Sequence, residues 1–151
     1  MVCGFLQLRQ LPTRKITRAI GRIKYGLQTE IRLGNLNAKR DWSHAKDYIE
    51  AMQLILMHDS PDDFVIASGK AYSVKEFVET AFALAELDPY KYIIIDPKYY
   101  RPAEVDYLLG DATKAKTILN WEPKISFDEL VKEMVENDLE LARKEYILKN
   151  S

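Results

Sequence analysis

The sequence is poor in the residues that lock small folds or build metal centres. Cys3 is the single cysteine among 151 residues, which excludes an internal disulfide and a cysteine-built zinc site and fits a reducing cytoplasm. Neither His44 nor His58 has ligand-type partners at metal spacing, so no metal is expected. The six glycines stand at 4, 21, 26, 34, 69 and 110. That scatter forms neither G-x-G-x-x-G nor a phosphate-cradling P-loop. No Tyr is followed four residues later by Lys, H-E-x-x-H and G-x-S-x-G do not occur, and no catalytic set is recognisable. A formal net charge of −1 gives no overall field for nucleic acid or an anionic membrane. No apolar run approaches the ~20 residues needed to cross a bilayer. Met1 to Leu11 lacks a basic start followed by a long apolar stretch, so it is expected to be a poorly specified segment rather than a signal peptide.

What remains is the composition of one globular domain, 47% hydrophobic and 30% charged, with room for its own core. Ile16, Ala19, Ile20, Ile23 and Leu27 recur at helical spacing, flanked by Arg14, Lys15, Arg18, Arg22 and Lys24. Glu30 to Leu33 reads as extended and runs into the Gly34-Asn35 turn. Ala45 to Met57 reads as a helix whose stripe is Ala45, Tyr48, Ile49, Met52, Ile55 and Leu56. Phe64 to Ala67 has the residue types of a short buried strand. Ser73-x-x-Glu76 is a capping box, and the helix after it carries Val74, Phe77, Val78, Ala81, Leu84 and Ala85 on its inner stripe. Tyr92 to Ile95 is a further strand, Thr113 to Leu119 a short helix. Ser126-x-x-Glu129 opens a last helix carrying Leu130, Val131, Met134, Val135, Leu139 and Ala142. Helices alternating with about three short strands indicate an α/β chain. Its sheet is thin for this length, which implies that part of the sheet lies outside the chain.

Two stretches are candidates for holding a ligand. The first, Asn35 to Ala45, joins a turn to a helix start, where free N–H groups favour an anion. Arg40 adds a planar fork suited to phosphate oxygens, although a surface arginine paired with Asp41 satisfies the same pattern. The second, Tyr99 to Asp106, holds Arg101 and Glu104 around Pro102. The arginine suits a phosphate and the carboxylate a ribose diol; an exposed loop with a local ion pair is the plainer alternative. Thr13-Arg14-Lys15 at the first turn of a basic helix is on its own an ordinary solvated face. Asp62-Asp63 reads as a solvated turn, and Trp42 and Trp121 as packing residues, Trp121 at the join between two helices.

Thr13 to Ile20, Leu33 to Leu36, Ala38 to Trp42, His44 to Tyr48, Tyr99 to Asp106, Leu108 to Asp111, Lys114 to Lys116 and Leu119 to Trp121 form an ordered series. Taken together, these stretches resemble the C-terminal part of the GDP-mannose 4,6-dehydratase family, within the extended short-chain dehydrogenases/reductases. The resemblance implies an atypical segment at 1–12 and, over 13–151, a helix-rich nucleotide-sugar-binding subdomain with the last elements of an NAD(P)-binding Rossmann-type sheet. It implies Lys15 and Arg40 toward a diphosphate with Asn35 nearby, and Arg101 and Glu104 on the phosphate and ribose side of a GDP-sugar such as GDP-mannose. It also implies the family's NADP-dependent dehydration: oxidation at C4, loss of water across C5 and C6, and return of the hydride to C6, in a homo-oligomeric enzyme of GDP-fucose biosynthesis. The family's catalytic Tyr and Lys and its glycine-rich NADP loop precede the matching part. Its Asn-His-Glu and paired arginines for the cofactor are replaced here by Met1 to Pro12. The expectation is therefore a fragment that holds the GDP-sugar, lacks most of the NADP site and is inactive alone. Another nucleotide-sugar dehydratase, epimerase or reductase, or a non-catalytic interaction module, is the alternative.

Overall fold

The computed structural model describes residues 12–100 and 105–150. Five α-helices and four three-residue strands follow one another there: α1 (Pro12–Lys24), β1 (Ile31–Leu33), β2 (Lys39–Asp41), α2 (Ala45–Leu56), β3 (Ala71–Ser73), α3 (Val74–Leu84), β4 (Ile93–Ile95), α4 (Thr113–Leu119) and α5 (Phe127–Asn150). The strands form two separate pairs. β1 and β4 run parallel, with Ile31 opposite Ile93, and β2 and β3 run antiparallel, with Arg40 opposite Tyr72. Tyr107 adds one parallel bridge to Lys39. The α/β class and the helix-rich, thin-sheeted character expected of the sequence are what the structure has.

The scaffold is α1 laid against α5. Pro12 starts α1, where its missing N–H is no loss; it belongs to the helix rather than to the atypical segment. The helix ends in a Schellman turn: Gly26 takes φ +68°, its N–H reaches the Ile23 carbonyl at 3.0 Å, and the Leu27 N–H reaches Arg22 at 2.8 Å. Ile16, Thr17, Ala19, Ile20, Gly21 and Ile23 are buried, against a stripe of Phe127, Val131, Val135, Asp138 and Ala142 on α5. Contacts climb both helices together, from Arg14 and Thr17 at Asp138 to Arg22 at Glu145, so the pair is parallel. Gly21 lets the backbones touch, because a Cβ there would stand 2.5 Å from the Asp138 carbonyl oxygen. Inside the same interface Thr17 donates to Asp138 Oδ2 at 2.6 Å, and the Arg14 guanidinium lies 3.2 Å from Oδ1.

α3 completes the main core through Phe77, Val78, Ala81 and Phe82. Both parts of its capping box form, since Ser73 Oγ accepts from the Glu76 N–H while Glu76 accepts from the Ser73 N–H. Leu84, expected inside, is exposed, and Phe82 takes its place. Trp42 and Phe127 stack at 6.1 Å between ring centroids and Tyr72 and Phe127 at 4.0 Å, tying the β2–β3 pair to the start of α5.

Two expectations fail on the other flank. On α2 the buried residues are Asp47 and Ala51, while Ile49, Met52 and Leu56 of the expected inner stripe stand exposed. The reason is specific anchoring. The Asp47 carboxylate accepts from the Ile125 N–H at 3.2 Å, and its carbonyl accepts from Trp121 Nε1 at 3.0 Å. Ala51 is small enough for the α2 side of a second, small core with Ala115, Leu119 and Trp121. Phe64 to Ala67 is not a strand: it makes no backbone hydrogen bond among the described residues. Conversely β2 and β3, with sequences KRD and AYS, carry no apolar alternation that would announce them.

Candidate functional site

Of the residues singled out in the sequence, Lys15 stands on α1 beside β1, Asn35 follows β1 and Arg40 stands on β2. Lys15 projects from the first turns of α1 toward β1. Its ammonium donates to the Arg32 carbonyl at 2.5 Å and sits 3.6 Å from the centroid of the Tyr99 ring. Burial against these groups lowers the Lys15 pKa from its ordinary value, opposed by the nearby Asp96 carboxylate. Lys15 lines an open cleft of about 470 Å3 together with Arg18, Arg22, Glu30, Arg32 and Tyr99. Three guanidinium groups and one ammonium around one cleft favour an anionic occupant.

Two of the cleft's cations are already engaged. Arg22 pairs with Glu145 of α5. Arg32, outward on β1 because its neighbours Ile31 and Leu33 point into the core, reaches Glu30 at 2.8 Å and Asp96 at 3.5 Å. The hydrogen bond that Arg32 donates to the Glu30 carboxylate is the main reason that the Arg32 pKa is raised. Lys15 has only a carbonyl and an aromatic face as neighbours, with Asp96 more distant. Arg18 has no ion pair among the described residues, so it and Lys15 are the cations most readily turned to a bound anion.

Asn35 shapes the chain between the two strands. Its side-chain oxygen accepts from the Asn37 N–H at 2.9 Å, an Asx turn that reverses the backbone after Gly34. Gly34 is itself pressed on the Tyr99 carbonyl, leaving no room for a side chain. Arg40 stands on β2, where one guanidinium nitrogen donates to its neighbour's carbonyl on Lys39 at 2.8 Å and to the Val105 carbonyl at 2.5 Å. Asp41 is not a simple partner for that arginine. Its carboxylate collects the N–H and hydroxyl of Ser68 and the N–H of Gly69 at 2.6–3.0 Å, which fixes the loop before β3. The start of α2 is also occupied: His44 caps it by accepting from the Lys46 N–H at 3.1 Å, and its other ring nitrogen meets Glu133 at 3.3 Å. The expected anion site at that helix end is replaced by this histidine cap.

Arg101 and Glu104 lie outside the described residues. The chain on either side of them is held, however, by the elements that carry the other candidates. Tyr99 meets Gly34 and Lys15, and Val105 meets Arg40. The contribution of Tyr99 itself escaped the sequence reading, because a tyrosine's use as a flat support for an ammonium depends on its partner 84 positions away in the chain. Asp62, read as solvated, is exposed and accepts from Lys114 at 2.6 Å, which lowers its pKa. Among the described residues no helix is long and apolar enough to cross a membrane.

Comparison with known proteins shows the family to which the chain belongs. The family model for GDP-mannose 4,6 dehydratase matches residues 3–134. GDP-mannose 4,6 dehydratase 2 of Arabidopsis thaliana is 54% identical over 136 residues, covering 90% of this chain and 36% of that protein. The Homo sapiens GDP-mannose 4,6 dehydratase is 51% identical over 148 residues, covering 87% and 40%. Among solved structures, RMD from Pseudomonas aeruginosa complexed with NADPH shares the fold at TM-score 0.79 and 21% identity, covering 88% of this chain and 44% of that one. UDP-glucose 4-epimerase from Thermotoga maritima with UDP-glucose has TM-score 0.69 and 27% identity, covering 81% and 38%. This chain thus spans well under half the length of the proteins it matches. With a family model covering most of its residues and relatives of this identity, the chain belongs to the GDP-mannose 4,6 dehydratase family.

Proposed function

We propose that this chain is the GDP-sugar-holding part of a GDP-mannose 4,6-dehydratase, with Lys15, Asn35, Arg40, Arg101 and Glu104 as its ligand contacts. The observation that carries the reading is the pair of contacts made by Tyr99 and Val105 with the elements that carry the other candidates. Tyr99 is held against Gly34 and Lys15, and Val105 is held by Arg40. The described residues that flank Arg101 and Glu104 in the chain thus contact the β1–β2 connection, which carries Asn35, and β2, which carries Arg40. A diphosphate placed there would meet charge-assisted donors from two or more chain segments, the arrangement that gives bidentate arginine contacts their strength. The names of the relatives supply the nucleotide and sugar of the proposed ligand, GDP-mannose.

The relatives' reaction extends the proposal to the whole protein: an NADP-dependent lyase whose hydride and proton transfers use groups beyond those identified here. Solved neighbours carry NADPH or NAD. A dinucleotide loop needs several open glycines close together in sequence, so that a pyrophosphate can approach the backbone. Among the described residues the open glycines are Gly26 and Gly69, 43 positions apart, and they form no such loop. No step through the cofactor is therefore assigned to these residues, and the chain by itself is proposed to bind GDP-mannose without converting it. Calorimetric titration tests the cradle. GDP-mannose should bind at least tenfold tighter than inorganic phosphate, and Arg40→Ala should remove most of that difference. Equal affinity for the two ligands refutes the proposal, and preference for a UDP-sugar redirects it to another nucleotide-sugar enzyme.

A further inference from the structure

A lysine that is to meet a bound anion has two opposed requirements. It must be held in place, because an ammonium on a flexible stem is otherwise spread over many positions. It must also keep its charge. A carboxylate in contact would hold it but would neutralise it, and the anion would then have to displace that partner. Lys15 shares its cleft with Arg18, Arg22 and Arg32, all of its own sign, so a holder is needed all the more. Asp96 is the carboxylate that acts on it from nearby. Its oxygens are committed elsewhere, however: one accepts from the Lys98 N–H at 3.0 Å and the other lies 3.5 Å from Arg32. Lys15 itself makes no ion pair among the described residues.

What fixes the ammonium is neutral. It donates to the Arg32 carbonyl at 2.5 Å and lies 3.6 Å from the centroid of the Tyr99 ring. An aromatic face attracts a cation through its quadrupole while carrying no net charge. The ring in turn is placed by backbone. The Asp96 N–H donates to the Leu33 carbonyl at 2.8 Å, tying the residue after β4 to the end of β1. Asp96 then caps one 3-10 turn, Pro97–Tyr99, in which the Tyr99 N–H reaches the Asp96 carbonyl at 3.0 Å. The Tyr99 carbonyl lies so close to Gly34 that no side chain fits there. The Tyr99 hydroxyl, by contrast, makes no hydrogen bond among the described residues. The ring face is the part in use.

We propose that Tyr99 is a positioning residue for Lys15. Its ring, presented by the 97–99 turn, holds the ammonium beside β1 with its charge intact for an anionic group of a GDP-sugar. The proposal rests on the reading of Lys15 as a contact of that ligand. It requires an aromatic ring at position 99 and not a phenol, and it gives Tyr99 no contact with the ligand itself.

Two measurements on this chain test it. In the first, GDP-mannose is titrated calorimetrically. Tyr99→Leu should weaken binding about fivefold, and Tyr99→Phe should stay within about twofold of the parent. In a Lys15→Met background, Tyr99→Leu should change the affinity by less than about twofold, because the residue acts through Lys15. Tyr90→Leu, at a tyrosine that is 74% exposed, serves as the control and should bind like the parent. In the second, the lysines are converted to isotopically labelled dimethyl-lysine, and the Lys15 NMR signal is identified by its loss in Lys15→Arg. The ring current of residue 99 should set that signal upfield of ordinary lysines in the parent and in Tyr99→Phe. In Tyr99→Leu it should return to the ordinary position. Circular dichroism checks the fold of each variant.

A Lys15 signal that is unshifted in the parent, or indifferent to Tyr99→Leu, overturns the proposal. So does weak binding by Tyr99→Phe. A Tyr99→Leu effect that persists in Lys15→Met also overturns it, since the ring would then touch the ligand directly. If the parent prefers GDP-mannose to phosphate and Tyr99→Leu binds equally well, this proposal alone fails. If the parent shows no such preference, the reading of the cradle fails and takes the proposal with it.

Discussion

Replacing Gly21 by alanine should destabilise the protein even though alanine is the better helix former. The substitution improves intrinsic propensity in α1 by about 1 kcal/mol. Against this, the new Cβ would stand 2.5 Å from the Asp138 carbonyl oxygen, 3.0 Å from its carbon and 3.2 Å from the Ala142 Cβ, where ordinary contact begins at 3.4 Å. The obstructing atoms are mostly helix backbone, which cannot turn aside as a long side chain can. α1 and α5 must therefore separate, loosening the buried Thr17–Asp138 hydrogen bond at 2.6 Å in the same interface. Overpacking of this kind costs about 1–3 kcal/mol. With the clash against backbone atoms at the upper end of that range, the net expected loss is about 2 kcal/mol, or about 4–8 °C in Tm for a domain of this size. Urea unfolding followed by circular dichroism measures it as a lower midpoint with unchanged slope. A G21A variant as stable as the parent, or more so, would show that the helices are not in backbone contact and would refute the packing argument.

Two further outcomes follow from the same reasoning. Trp121→Phe keeps most of the apolar bulk but removes the indole N–H that satisfies the buried Asp47 carbonyl at 3.0 Å. It should cost about 1–3 kcal/mol, read by thermal melting, and a neutral effect would mean that the carbonyl finds another donor. Stability should also fall below pH 5. Hydrogen bonds from the Ser73 side chain and backbone lower the Glu76 pKa, and those from Ser126 do the same for Glu129. Carboxylates depressed in the folded state contribute stability that is complete above their unfolded pKa, near 4.3, and is lost as pH falls through the lower folded value. Urea midpoints measured from pH 6 to pH 3 should therefore drop less steeply in Ser73→Ala, and an unchanged slope contradicts the assignment.

How far the sequence could be read depended on whether an element's partner was local. The two capping boxes and α4 were legible because their determinants lie within a few residues of one another. Lys15 was legible only through the resemblance, since its chemistry requires Arg32 and Tyr99, brought to it by the parallel β1–β4 pair. β2 and β3 were hidden because three-residue strands of mixed polarity have no period to detect, and their stability comes from Trp42, Tyr72 and Phe127 stacking on one another. On α2 the apolar period was real but marked the wrong side. Which face turns inward was decided by Asp47 and its bonds to Trp121 and Ile125, almost eighty residues on. For Phe64 to Ala67 the β propensity was correctly seen, but propensity cannot supply a neighbouring strand.

The join between Thr17 and Asp138 also sets a timetable for the newborn chain. The two residues are 121 positions apart, so a helix completed at the start of this stretch waits for one made at its end. At ribosomal rates of about 5–20 residues per second, the wait is about 6–24 s. For that interval Ile16, Ile20 and Ile23 are apolar side chains without their α5 cover, long after α1 itself has had time to form. Moving the chain's ends so that α5 directly precedes α1 would remove the delay while leaving the finished contacts unchanged. The pairing of the first described helix with the last is thus also what exposes this interface longest to chaperones and to other growing chains.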